Sequence, residues 1–273
     1  TIGGTSQAIT VEWDGRKCSA QRQLADPRSG VAILKIDPEV PTTFFTPGKS
    51  DALAVGDPLV AIGYPMDHEI APSWGTLASF DIRYEGGFLA TRHLRAHVPV
   101  QRGQGGAPVL NMQGEVVGIL ISSLDGGSGC FSLPIEAAER VRKDLVMHGE
   151  LRPGWLGVGC REATQKFAGS SAVIDSLVKS SPGAAAGLEP GDVLLKIDER
   201  EIHSPDDVLN ASFFIAVRDE VNLRVLREGK IVDVSVTAID PPTVPLTAGD
   251  IPAFARPAAD DLTFDGVPRS TPP

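Results

Sequence analysis

Cysteine is scarce: Cys18, Cys130 and Cys160 are the only three in 273 residues. Their odd number and wide spacing argue against a disulfide framework or a zinc site and leave them as structural thiols. Positive charge is also in deficit, with 25 Lys and Arg against 35 Asp and Glu and a formal net charge of −10. Phosphate binding needs a basic face, so a nucleic-acid partner is not expected. No apolar run approaches the roughly 18 residues needed to span a bilayer. No charged segment followed by an apolar one opens the chain; Thr1 in place of methionine is read as a removed leader or an upstream cut. What is present, 42% hydrophobic residues, suits a soluble globular chain long enough for two domains.

Residues 1–150 read as a first domain made mostly of β structure. "AITVEW" (8–13) meets Asp14-Gly15, a hairpin signal, and a second strand follows from Arg16. "GVAILKI" (30–36), "PLVAIGYP" (58–65), "WGTLASFDIRY" (74–84) and "EVVGILISS" (115–123) are further strands between Gly, Pro and Asp punctuation. Short strands so spaced predict a barrel or sandwich. "PIEAAERVRKDLVMHG" is the first helix, entered at Pro134 and stopped by Gly149.

A second domain of mixed α and β occupies 152–240. Its helix is entered by Ser204-Pro205-Asp206-Asp207, a serine cap with an acid three positions on, and it closes with two strands joined by Glu228-Gly229. Residues 241–273 are proline-rich and low in apolar content, which predicts an extended or disordered tail.

"GWLGV" (154–158) and "SPGAAAGLEPGDVLLKIDEREIHSPDDV" (181–208) resemble the signature of PDZ domains in bacterial proteases. The resemblance implies that Trp155, Leu156, Gly157, Val158 and Gly159 form the peptide-binding loop and strand. Successive backbone N–H groups in a glycine-containing turn can hold a terminal carboxylate, and the following strand can accept an added one. A closed groove serving as a domain clamp is the plainer alternative. "ITVEWDGRKCSAQRQLADPRSGVAILKID", "LAVGDPLVAIGYP" and "GQGGAPVLNMQGEVVGI" resemble the trypsin-like domain of the HtrA/Deg protease family, in order and spacing. The fold implied is a trypsin-like β-barrel, with further N-terminal strands upstream of this chain, followed by an α+β PDZ domain. A periplasmic or otherwise extracytoplasmic location is implied too. Neither the residues nor the resemblance calls for a cofactor.

Proteolysis by this fold needs a serine nucleophile, a histidine base and an orienting aspartate. The family writes its nucleophile loop Gly-Asn-Ser-Gly-Gly; here it reads Gly103-Gln104-Gly105-Gly106-Ala107, with Gly105 at the serine position. The family's aspartate closes an Asp-Pro-Arg-Ser-Asp run; here that run ends in Gly30, and Asp26 matches a different position. The histidine belongs upstream of Thr1, and none of His68, His93, His97, His148 and His203 stands in its place. Gly103, Gln104 and Gly105 keep the backbone of an oxyanion loop, as an anion nest or, more plainly, because the turn needs positive φ. Ser122, Ser123 and Ser128 are the serines nearest the loop in sequence, with no supporting histidine or aspartate beside them.

His93 and His97, four apart, share one face of a strand, yet roughly 13 Å separates such positions, too far for one metal ion. Arg83, Arg92, Arg95 and Arg102 could favour an acidic ligand, though a solvated rim is the plainer reading; Asp67, His68 and Glu69 read as a polar loop. The chain is therefore expected to be a pseudoprotease that binds peptide or protein C-termini as a scaffold or regulator, assembling with itself or with related proteases. An active serine endopeptidase of the same family is the first alternative, and a metal-binding protein reusing the old cleft is the second.

Overall fold

The computed structural model describes residues 9–13, 16–36, 44–82 and 89–242. The chain divides into two compact units, one formed by 1–83 with 91–152 and the other by 84–90 with 153–273.

In the first unit, β1 (Ile9–Trp13), β2 (Arg16–Asp26) and β3 (Val31–Lys35) form an antiparallel sheet in chain order. Asp14 and Gly15 lie outside the described residues; Trp13 and Arg16 on either side of them are paired, as a hairpin requires. Then β4 (Pro58–Gly63), β5 (Ala71–Asp81), β6 (His93–Ala96), β7 (Pro108–Leu110), β8 (Val116–Leu124) and β9 (Gly129–Pro134) close a barrel in the order β4-β5-β6-β9-β8-β7. Strand β4 reads as an unbroken apolar run because both its faces are covered. Leu59 and Ala61 enter the barrel core with Leu77, Leu94 and Val109. Val60 packs outside with Leu110 and Val116, against Ile62 and Ile135. Helix α1 (Ile135–His148) supplies Ile135, begins after Pro134 and ends at left-handed Gly149, whose amide donates to the Leu145 carbonyl at 2.9 Å. The fifth strand starts earlier than its sequence suggests, at Ala71 rather than Trp74, and is described only to Asp81. Pro72 does not delimit it: at the second residue, near a strand end, a missing donor is tolerated.

The second unit contains β10 (Val158–Phe167), β11 (Ser170–Leu177), α2 (Pro182–Ala185), β12 (Val193–Ile197), β13 (Arg200–Glu201), α3 (Pro205–Phe213), β14 (Glu220–Arg227) and β15 (Lys230–Thr237). Its sheet runs β10-β11-β12-β14-β15, with β13 paired to β12, so β10 is an edge. Strict alternation buries Val221, Leu223 and Val225 of β14. They join Ile174, Leu194 and Ala211 of α3 in one core. The expected helix entry forms with its roles altered. Ser204 makes no side-chain bond to the helix backbone. The buried Asp207 carboxylate instead accepts from the His203 amide at 2.8 Å and from the Ser204 hydroxyl at 3.1 Å. Glu228 and Gly229 join β14 to β15 with φ of 47° and 77°, the paired left-handed conformation of a two-residue hairpin.

Candidate functional site

The loop 101–107 lies between β6 and β7 and is held largely by itself. The Gln101 amide donates to Gln104 Oε1 at 2.6 Å, and the Gln104 amide returns a 3.3 Å bond to the Gln101 carbonyl. The Ala107 amide donates to the Gln104 carbonyl at 3.0 Å, and the Gly106 amide to Leu120 of β8 at 2.8 Å. From the β4–β5 connection, Met66 donates its amide to the Arg102 carbonyl at 2.7 Å. Gln104 is only 2% exposed, and its Nε2 has no partner among the described residues. Its side chain packs where a Cβ on Gly63 would sit, 3.4 Å from Gln104 Cγ. The amides of Gly103 and Gly105 donate to nothing among the described residues.

The loop's left-handed residues are Gly103 (φ 96°) and Gly106 (φ 88°), and Gly105 is not one of them. Backbone geometry therefore explains glycine at 103 but not at 105. The other vacant position, Gly30, closes the turn after β2 by donating its amide to the Asp26 carbonyl at 3.0 Å, with φ of 70°. Asp26 is buried and engaged locally: its carboxylate accepts from the Ser29 amide at 2.9 Å and from Arg28 Nε at 3.2 Å.

The remaining candidates scatter. His93 is 1% exposed, and burial pulls its imidazole down to about 4 against the pull of neighbouring Asp81, so it is neutral. His97 is exposed and lies past the end of β6. The two thus differ in burial, one enclosed and the other open to solvent. Among the described residues no group of three His, Cys, Asp or Glu could hold a metal ion. Ser122 has a buried Oγ with no partner, while Ser123 and Ser128 are exposed. His68, His148 and His203 are exposed. Of the arginines, Arg95 is neutralised by Asp81 at 2.8 Å, Arg92 is half-buried, Arg102 is exposed, and Arg83 lies outside the described residues, as does the side chain of Asp67. Burial pushes the Cys130 thiol up to about 11 and the Cys160 thiol up to about 12, which makes both poor nucleophiles.

The second unit's loop 154–158 is braced from three sides. The Gly154 amide donates to Ile215 at 2.9 Å, and Trp155 and Ile239 exchange bonds of 2.8 and 3.1 Å. The carbonyls of Leu156 and Gly157 accept from the amides of Gly183 and Val178, each at 2.9 Å. The amides of Leu156 and Gly157 donate to nothing among the described residues, which leaves two adjacent donors for an anion. Gly157 has φ of 72°, and a Cβ there would fall 2.2 Å from Ser181 Cβ. Beyond the loop, β10 pairs with β11 on one side only, and α3 packs against both strands. Leu156, Val158 and Val208 pack half-buried on the core and give the site an apolar lining.

Two family models match the chain, the trypsin-like peptidase domain over residues 3–119 and the PDZ domain over 154–238. It is an HtrA-type chain. A probable periplasmic serine endoprotease, DegP-like, of Halomonas elongata is 30% identical over 94% of this chain and 56% of its own length. The relative so named from Chlamydia trachomatis is 29% identical over 84% of the chain and 48% of its own. The chain thus spans about half the length of the curated relatives it matches. The solved structure of the HtrA-type protease AlgW with tripeptide matches with a TM-score of 0.64 at 26% identity, covering 84% of this chain and 79% of that one. The relatives' names support a periplasmic or otherwise extracytoplasmic location. What the sequence did not reveal is how the two loops are held: the Gln104 side chain braces the first, and Val178, Ser181 and Gly183 brace the second. The Ser-Pro-Gly run at 181–183 was the available signal, since it reads as a helix cap followed by a close approach.

Proposed function

We propose that this chain captures peptide or protein C-termini through its PDZ domain and that its trypsin-like domain is proteolytically inert, a scaffold or regulator. The observation that carries the reading is Gly105, a residue without a side chain inside a peptidase loop whose backbone frame is otherwise kept. Gly30 removes the orienting carboxylate as well, and without nucleophile and acid only the binding contribution of the oxyanion donors survives. In the PDZ domain, the free amides of Leu156 and Gly157 would take the ligand's carboxylate, and the open edge of β10, from Val158 and Gly159 onward, would pair with its backbone. Assembly with itself or with active relatives belongs to the same reading and gives an inert barrel a role.

The names of the relatives favour a second reading, an active serine endopeptidase. It needs a nucleophile away from position 105, and among the described residues no histidine hydrogen-bonds Ser122, Ser123 or Ser128. The metal-binding alternative finds no group of three His, Cys, Asp or Glu among the described residues to support it. Incubation of the purified chain with an unfolded protein substrate decides between the readings. No hydrolysis together with carboxylate-dependent peptide binding is expected; turnover that survives Gly105→Ala would establish the endopeptidase.

A further inference from the structure

Arg227, the last residue of β14, makes the densest set of polar contacts in the PDZ unit, and it stands outside the peptide site. Its Nε and Nη2 donate to the two carboxylate oxygens of Asp192, each at 2.7 Å. Nη1 donates to Glu189 Oε1 at 3.0 Å, and Nη2 also reaches the Gly187 carbonyl at 2.8 Å. Asp192 is 1% exposed, and its Oδ2 accepts the Glu189 amide at 2.9 Å as well. One guanidinium therefore gathers the whole connector from α2 to β12.

That connector is tied to the carboxylate loop by short links. The Leu188 amide donates to the Gly183 carbonyl at 3.1 Å, and the Gly183 amide donates to Leu156 at 2.9 Å. Ser181, which precedes α2, stands against Gly157 so closely that no Cβ fits there. Movement of the connector would carry Gly183 and Ser181 with it, and hence the two donor amides. We propose that Arg227 is a positioning residue for the carboxylate-binding loop, acting through Asp192, the 187–192 connector and α2. The proposal rests on the reading of 154–158 as a site for peptide C-termini.

The same strand supplies a control. Arg224 forms an equally forked pair with Asp233, at 2.7 and 3.2 Å, but it joins only β14 to β15 and touches nothing near α2. The test uses the full chain and a fluorescein-labelled decapeptide pool with randomised upstream positions and a C-terminal valine, as free acid and as amide. Anisotropy gives the ratio of the two dissociation constants. Arg227→Gln is expected to lower that ratio about tenfold, the scale of losing charged hydrogen bonds that hold a site, by weakening the acid and not the amide. Arg224→Gln should leave it unchanged. Arg227→Lys should not rescue it, because one ammonium cannot span Asp192, Glu189 and the Gly187 carbonyl in a fork. An unchanged ratio in Arg227→Gln, or an equal fall in Arg224→Gln, overturns the proposal alone. A wild-type ratio near one overturns it together with the PDZ reading. If Arg227→Gln does not fold, Glu189→Ala removes a single link at a mostly exposed carboxylate and must lower the ratio about twofold without changing the melting temperature; no change there refutes the proposal.

Discussion

The loops at 101–107 and 154–158 share a device and differ in what surrounds it. Each keeps two backbone amides without partners among the described residues, at Gly103 and Gly105 in one and at Leu156 and Gly157 in the other. On the proposed reading the barrel pair has neither the serine nor the aspartate that would make it part of a catalytic site. In the PDZ unit the pair sits at the root of an unpaired strand edge with an apolar lining. An anion nest alone holds an anion weakly; beside an open edge it fixes the end of a peptide whose backbone the strand can then pair with. On the proposed reading an HtrA-type chain loses the activity that depends on side chains and keeps the one that rests almost wholly on backbone.

The largest break in this comparison is Gly157→Ala. It places a Cβ 2.2 Å from Ser181 Cβ at a residue with φ of 72°. Overpacking and left-handed strain together cost about 3 kcal/mol, and peptide affinity should fall at least ~100-fold. Thermal melting of the PDZ unit and peptide anisotropy both read the change, and binding that survives intact would remove this loop from the site.

Acid should separate the two units next. His93 is buried in the barrel and held neutral, its imidazole pulled by burial from 6.5 down to about 4, with the Asp81 charge opposing. The unfolded chain takes up that proton at higher pH than the folded one, so the stability is fully present above pH 6.5 and is lost as pH falls toward 4. The loss is about 3 kcal/mol and is carried by the barrel. Calorimetry at pH 7 and pH 4.5 should show the barrel transition moving down further than the PDZ transition. His93→Gln should flatten the difference.

The PDZ unit was legible because its signals are local. The Ser204–Asp207 helix entry and the Glu228-Gly229 turn both act within a few residues of themselves. The barrel loop was legible in register but not in mechanism. Positive φ was a fair expectation for its glycines and holds at Gly103, yet Gly105 does not use it. The burial of His93 could not be read from its four-residue spacing to His97, because it depends on the elements packed over β6. Arg227 could not be read at all: its partner Asp192 is 35 residues away, and only the sheet brings them together.

The smallest expected effect is the most informative about the barrel. Because Gly105 lacks left-handed φ, Gly105→Ser should fold normally, within about 0.5 kcal/mol of the parent. It puts a hydroxyl beside the free amides of Gly103 and position 105, which is the loop of an active enzyme in outline. Activity should still not appear. A serine is a weak nucleophile until a histidine held in the right tautomer takes its proton, and Gly30 offers nothing to hold one. Adding Gly30→Asp supplies the carboxylate at φ of 70°, where a Cβ meets nothing within 4 Å and an aspartate tolerates the left-handed region at modest cost. Measured with an unfolded protein substrate and a serine-directed phosphonate, the single variant should stay silent, and turnover by it would mean that the orienting acid comes from elsewhere in the barrel. If the double variant, in a chain extended to supply a histidine base, turns over where the single does not, the two glycines account for the proposed inactivity.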